Sequence, residues 1–142
     1  MAEVLFDNYL KKIRSDWSEW QIESAGTWAL DGKPASKNSQ LVMARRGLDI
    51  RGHRSRTVTA EMITGSDLVL TMESGHKEAL QQEFPSAAER IFLLTEMVGD
   101  TESVNDPYGG PVKEYEETAR LIDEIIEKGI DRILHLVGRG EP

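Results

Sequence analysis

Asp67-Leu68-Val69-Leu70-Thr71-Met72, then a segment from Ser74 with His76, Leu80 and Phe84 on helical spacing, then Ile91-Phe92-Leu93-Leu94: this run decides the fold. The two outer pieces are mostly apolar and bounded by polar residues, the pattern of buried strands. Between them Ser74 is placed to cap a helix that Pro85 helps terminate. A strand, a crossover helix and a second strand imply an α/β protein with a parallel sheet covered on both faces. Chemistry in such sheets sits at the C-terminal ends of strands, here the loops after Met72 and Leu94.

Outward from that unit, Phe6, Tyr9, Leu10, Ile13, Trp17 and Trp20 recur at three- and four-residue steps, predicting an amphipathic helix from near Met1 to about Ser18. On that stripe Trp17 and Trp20 read as core. Gln21 to Gly26 reads as a short strand, whose loop after Ser24 is a third place for chemistry, and Trp28 to Lys33 as a loop. Pro34-Ala35-Ser36 can start a helix through roughly Arg46, with Gly47 closing it in the left-handed conformation. Thr59 can cap a short helix through Met62. The last helix is the clearest: Tyr115, Ala119, Ile122, Ile126, Ile130 and Ile133 share one face from about Val112 to Leu136, and the tail from Gly138 should fray. No repeat or linker interrupts the chain, so a single domain over 1–142 is expected.

Composition removes several functions. Lys plus Arg number 17 against 25 Asp plus Glu, a formal charge of -8, which leaves no basic surplus for a nucleic-acid backbone. Apolar runs are too short to span a membrane, and Met1 to Asp7 lacks the basic start of a signal peptide, so a cytoplasmic protein is expected. The chain has no cysteine, which excludes disulfides, cysteine-ligated metals and thiolate nucleophiles for these 142 residues. Phosphate-loop, dinucleotide, zincin and serine-hydrolase motifs are all missing, and no His stands at metal-ligand spacing, so no metal or cofactor is expected.

Three constellations bear on chemistry. Asp106-Pro107-Tyr108-Gly109-Gly110 could hold a carboxylic acid beside an aromatic wall, on a loop stiffened by proline and turned by glycines; by composition alone it is a turn. Gly52-His53-Arg54-Ser55-Arg56 could gather an anion, although a solvated charged loop pairing with the acidic surplus is the commoner outcome. Trp28 could wall a pocket or cover the core edge. Arg45-Arg46 reads as an answer to a helix dipole, and His76 as a surface or cap residue.

In order along the chain, Ser24-Ala25-Gly26-Thr27, Arg46-Gly47-Leu48-Asp49-Ile50, Gly52-His53-Arg54-Ser55-Arg56, Asp67-Leu68-Val69-Leu70-Thr71-Met72 and Asp106-Pro107-Tyr108 before a final helix resemble the low-molecular-weight protein tyrosine phosphatases. Asp106 to Gly110 followed by Tyr115 and Thr118 is most similar to the bacterial branch that includes protein arginine phosphatases. The resemblance implies a phosphatase-I-like, three-layer αβα fold. It also implies cofactor-free hydrolysis of phosphotyrosine or phosphoarginine on proteins through a cysteinyl-phosphate. Asp106 is then the general acid and later base, with Trp28 and Tyr108 as substrate-binding walls.

Family members begin with a buried strand and a Cys-x-x-x-x-x-Arg-Ser-Pro loop followed by Met-Ala-Glu, and this chain begins Met1-Ala2-Glu3. The resemblance therefore implies an N-terminally truncated domain without the first, central strand or the nucleophile loop, and hence a chain that is catalytically dead or nearly so. Arsenate reduction on the same fold requires redox cysteines and is excluded. The missing strand would leave backbone groups unpaired, so self-association is expected. The alternative from another class is a non-catalytic binding or regulatory protein that uses the scaffold and its exposed sheet edge.

Overall fold

A computed structural model describes residues 1–26 and 31–138. The helices are α1 (Ala2–Ile13), α2 (Lys37–Arg45), α3 (Ala60–Thr64), α4 (Ser74–Glu83) and α5 (Val112–Leu136), and the strands are β1 (Val69–Thr71) and β2 (Ile91–Leu93). Short 3-10 turns occupy Trp17–Glu19, Pro85–Arg90 and Leu94–Val98. The chain forms two compact units, one of residues 1–57 with 107–124 and one of residues 58–106 with 125–142.

In the second unit the expected strand-helix-strand is present. β1 and β2 run parallel with Val69 opposite Ile91, Leu70 opposite Phe92 and Thr71 opposite Leu93, and α4 makes the connection. Ile63, Leu80, Ala87 and Ile91 form its buried cluster, with Val58, Val69 and Phe84 packed against it. Thr59 caps α3 as expected, its hydroxyl accepting from Met62 N–H at 3.2 Å. The cap expected of Ser74 is different. Ser74 is the first residue of α4, and its N–H donates to the Ser103 hydroxyl at 3.0 Å, so a residue far along the chain satisfies this orphan donor.

In the first unit α2 starts where expected, because the Ser36 hydroxyl accepts from Ser39 N–H, and it ends before Gly47, whose φ is 75°. Arg45 and Arg46, expected to answer the helix dipole, reach Glu116 and Asp123 of α5. Two expectations fail. The first helix stops at Ile13 rather than Ser18: Arg14 turns extended, and its guanidinium clamps the Asp16 carboxylate through two 2.9 Å hydrogen bonds. Trp17 thereby leaves the helical register and is 39% exposed under the Lys11 ammonium, which stands 4.9 Å from its ring centre. Trp20 is half-buried and packs edge-on against Phe6, while Leu5 and Leu10 are the buried residues of α1.

The second failure is the strand over Gln21 to Gly26. Among the described residues only an isolated bridge from Gly26 to Thr57 forms there. The segment keeps the two-residue alternation of exposure that a strand has, with Ile22 and Ser24 half-buried and Gln21, Glu23 and Ala25 exposed. Among the described residues it has no neighbouring ladder of the kind that turns an extended segment into a strand.

α5 forms over the predicted span, and all six residues of its predicted stripe are buried. Gly129 in that helix sits against Met97, where an added Cβ would lie 2.7 Å from the Met97 Cβ.

Candidate active site: the Asp106 loop

The chain from Thr95 to Pro111 is held by hydrogen bonds near both ends. After the turn at Leu94–Val98, Gly99 takes φ 81° and the Thr95 hydroxyl donates to the Glu102 carbonyl at 2.7 Å. Val104, 3% exposed, donates its N–H to the Met72 carbonyl at 2.7 Å, tying the loop to the end of β1. Strand ends are where an α/β protein presents chemistry, and this bond brings the segment before Asp106 to one of them.

Beyond Asp106, the Gly110 N–H donates to the Pro107 carbonyl at 2.8 Å, closing a four-residue turn with Tyr108 and Gly109 in the middle. Gly109 has φ 83° and Tyr108 a negative φ, the type II arrangement that needs glycine at the third position. Gly110 sits in a tight place: an added Cβ would displace the Glu114 carboxylate and lie 3.0 Å from the Pro107 carbonyl. The Asn38 side-chain amide of α2 donates to the Gly110 carbonyl at 3.1 Å, and Ser36 of the same region donates to the Tyr115 hydroxyl at 3.3 Å.

Of the three residues expected at a site, Asp106 has an exposed side chain, and Tyr108 is 80% exposed. Trp28 lies outside the described residues. An exposed carboxyl is of a type that can pass a proton to a leaving group. Sequence reasoning missed Asn38, Ser36 and Val104, which fix this loop, because no spacing pattern links position 38 to position 110.

The arginine-rich loop resolves toward its ordinary reading. Arg51 makes a paired contact to the Asp49 carboxylate, at 3.0 and 2.9 Å. Those bonds, with the Arg51 N–H, hold Asp49 at about 2, well below the usual carboxylate range. Arg54 donates to the carbonyls of Arg51 and His53, and Arg56 to the Ser24 carbonyl. These guanidinium groups are spent on protein acceptors rather than gathered around one point. His53 stands 4.0 Å from Glu3, which also accepts from the Ser24 hydroxyl, and His76, half-exposed, stands 3.7 Å from Glu73. Among the described residues no group of three or more His, Asp or Glu could hold a metal ion, and no helix is long and apolar enough to cross a membrane. An open depression of about 500 Å³ in the first unit, lined by Gln40, Leu41, Ala44 and the Leu48–Arg51 stretch, contains none of the expected site residues.

Comparison with known proteins converges on one lineage. A protein-arginine-phosphatase of Geobacillus stearothermophilus is 35% identical over 113 residues, covering 76% of this chain and 76% of that protein. A probable low molecular weight protein-tyrosine-phosphatase, EpsP of Ralstonia nicotianae, is 33% identical over 112 residues, covering 79% and 76%. Among solved structures, the low molecular weight protein tyrosine phosphatase from T. tengcongensis superposes with a TM-score of 0.85 at 37% identity, covering 92% of this chain and 88% of that one. The YwlE arginine phosphatase from Geobacillus stearothermophilus superposes with a TM-score of 0.84 at 27% identity, covering 99% and 88%. These likenesses give the expected α/β fold with its parallel sheet. A loop carrying Asp106 at the end of a parallel strand pair, that fold, and a match of residues 1–135 to the model for low molecular weight phosphotyrosine protein phosphatase together place this chain in that family.

Proposed function

We propose that the chain is the scaffold of a low molecular weight phosphatase, one domain over 1–142, which keeps the proton donor Asp106 but turns over no phosphate ester by itself. The observation that carries this is a family match over 1–135 in a sequence with no cysteine. Family chemistry runs through a cysteinyl-phosphate, and without the thiolate there is nothing to take the phosphoryl group from the substrate oxygen or nitrogen. Acid catalysis alone contributes typically about 10²–10⁴-fold. In this reading Tyr108 and Trp28 wall the phosphorylated side chain of a protein, phosphotyrosine or phosphoarginine, in the cytoplasm, and Asp106 protonates the leaving group when a nucleophile is supplied. The exposed Tyr108 ring supports the assignment of a protein substrate.

The test is p-nitrophenyl phosphate turnover by this chain beside a version carrying a family-type strand and cysteine loop before Met1. Turnover only in the second version, lost by about 10²–10⁴-fold on Asp106→Ala, is the expected result. Turnover by the chain alone, or unchanged turnover in Asp106→Ala, overturns the reading.

A second reading, a non-catalytic binding or regulatory protein that self-associates, is favoured by one observation: β1 has a strand neighbour on one side only among the described residues. Light scattering that shows a single monomeric mass at all concentrations removes it.

A further inference from the structure

From Gly99 to Asp106 the chain carries no helix or strand, yet hydrogen bonds within the second unit hold it at successive residues. The Asp100 N–H donates to the Thr95 carbonyl at 3.1 Å, and the Asp100 carboxylate accepts from the N–H groups of Thr101 and Glu102 at 2.7 and 3.1 Å. The Glu102 carbonyl takes the hydroxyl of Thr95, which is 5% exposed. The next two residues grip the turn between β1 and α4 on either side of Glu73. Ser103 accepts through its hydroxyl from Ser74 N–H at 3.0 Å, and Val104 N–H donates to the Met72 carbonyl at 2.7 Å. Asp106 follows two residues later.

The Ser103 bond departs from the usual way of starting a helix. A helix is ordinarily capped by its own N-cap residue, where serine, threonine, aspartate or asparagine is preferred. In α4 that residue is Glu73, which makes no cap bond, and the acceptor comes from a position 29 residues beyond Ser74. A local cap would serve the helix as well. What Ser103 adds is a tie between a rigid helix and the loop that leads to Asp106. The Val104 bond alone would let that loop swing about one point, whereas two adjacent grips fix its direction too.

We propose that Ser103 is a positioning residue for proton transfer by Asp106, acting through that carboxyl rather than on the substrate. A carboxyl is an effective acid only within hydrogen-bond reach of the leaving atom, and a misplacement of ~1 Å can cost on the order of 10²-fold. The Asp106 side chain is exposed, so its aim depends heavily on where the backbone before it is held. The proposal rests on the reading of Asp106 as the acid and names what holds it.

One test uses the chain as it stands. With Ser103→Ala the backbone order parameter at Asn105 and Asp106 should fall from the rigid value of about 0.85 toward about 0.6; with Ser103→Thr, which keeps the hydroxyl, it should hold. Order already below about 0.6 in the wild type, or unchanged in Ser103→Ala, overturns the proposal. The other test uses the version carrying a family-type strand and cysteine loop. It compares kcat/KM on phenyl phosphate, whose leaving oxygen needs a proton, with kcat/KM on p-nitrophenyl phosphate, whose nitro group spreads the leaving charge. Asp106→Ala should lose more on the first ester than on the second. Ser103→Ala should lose about tenfold on phenyl phosphate and less on p-nitrophenyl phosphate. Ser103→Thr should restore both, and Ser103→Ala should cost nothing further in the Asp106→Ala background, where no acid is left to aim. Equal losses on both esters, no loss, or a loss that persists without Asp106 overturns the proposal and leaves Asp106 as the acid. No turnover in that version, or an Asp106→Ala effect that is the same on both esters, overturns the reading of Asp106 and the proposal together.

Discussion

The two edges of the β1–β2 pair are finished in different ways. Along β2 the neighbouring helix and turn supply side chains, Gln81 from α4 and Glu96 from the Leu94–Val98 turn, which stand in for a missing strand. Glu96 is itself held by the Lys77 ammonium. Along β1, among the described residues, a loop residue closes the far end, at Met72, and three apolar residues stay half-buried. A side chain reaches only the backbone groups within its own length, so an edge is capped this way where helices and turns run close beside it. Where they do not, water, a loop or another strand is left to pair the backbone.

This contrast can be attacked from its foundation outward. Ile91 lies in the buried cluster beneath β2 at 1% exposure, so Ile91→Ala should cost about 2–5 kcal/mol and loosen both edges together. Urea denaturation measures it, and a loss well under 1 kcal/mol would show that β2 is not the anchor of the pair. Gly129→Ala drives a Cβ into Met97, a residue of the same turn that carries Glu96. Overpacking of this kind costs about 1–3 kcal/mol, against roughly 1 kcal/mol gained in helix propensity. The net should be a loss, with faster amide exchange at Leu93 and none of that change at Leu70. A stabilised variant would mean that the turn yields freely.

Glu96→Gln removes the charge from the β2 cap and should cost about 1–2 kcal/mol at neutral pH. Burial, the largest single influence, pushes the Glu96 carboxyl up. The Leu93 N–H and the charges of Lys77 and Arg132 together outweigh it and hold the group below its ordinary value. The sign follows: a lowered folded pKa gives stability that is complete above the unfolded value of about 4.3 and is lost as pH falls through the folded one. Between pH 6 and pH 3 the wild-type chain should therefore lose more stability than Glu96→Gln. Parallel acid limbs for the two proteins would remove Glu96 from the account.

How much of this was legible in the residues depends on where each element finds its hydrogen bonds. α5 was readable to its ends because a helix closes its bonds within itself and Ile122, Ile126, Ile130 and Ile133 mark one face. The cap at Thr59 and the left-handed Gly47 were readable for the same local reason. Gln21 to Gly26 carries strand chemistry but has no ladder, and a strand is only as real as its neighbour. The early end of α1 turned on the Arg14–Asp16 clamp, which apolar periodicity does not register. At the candidate site, composition read Asp106 to Gly110 as a turn and the family resemblance alone singled out Asp106, while nothing singled out the anchors Asn38 and Val104.

The residues by themselves determined the strand-helix-strand order, the final helix, the family likeness and the lack of a thiolate, since each is a matter of composition, spacing or local hydrogen bonding. Only the tertiary structure decided that Gly129 makes room for Met97, that Ser103 completes the start of α4, and that Glu96 caps β2. Those are meetings of residues far apart in the chain, and a linear pattern holds no record of which distant groups packing will bring within hydrogen-bond reach.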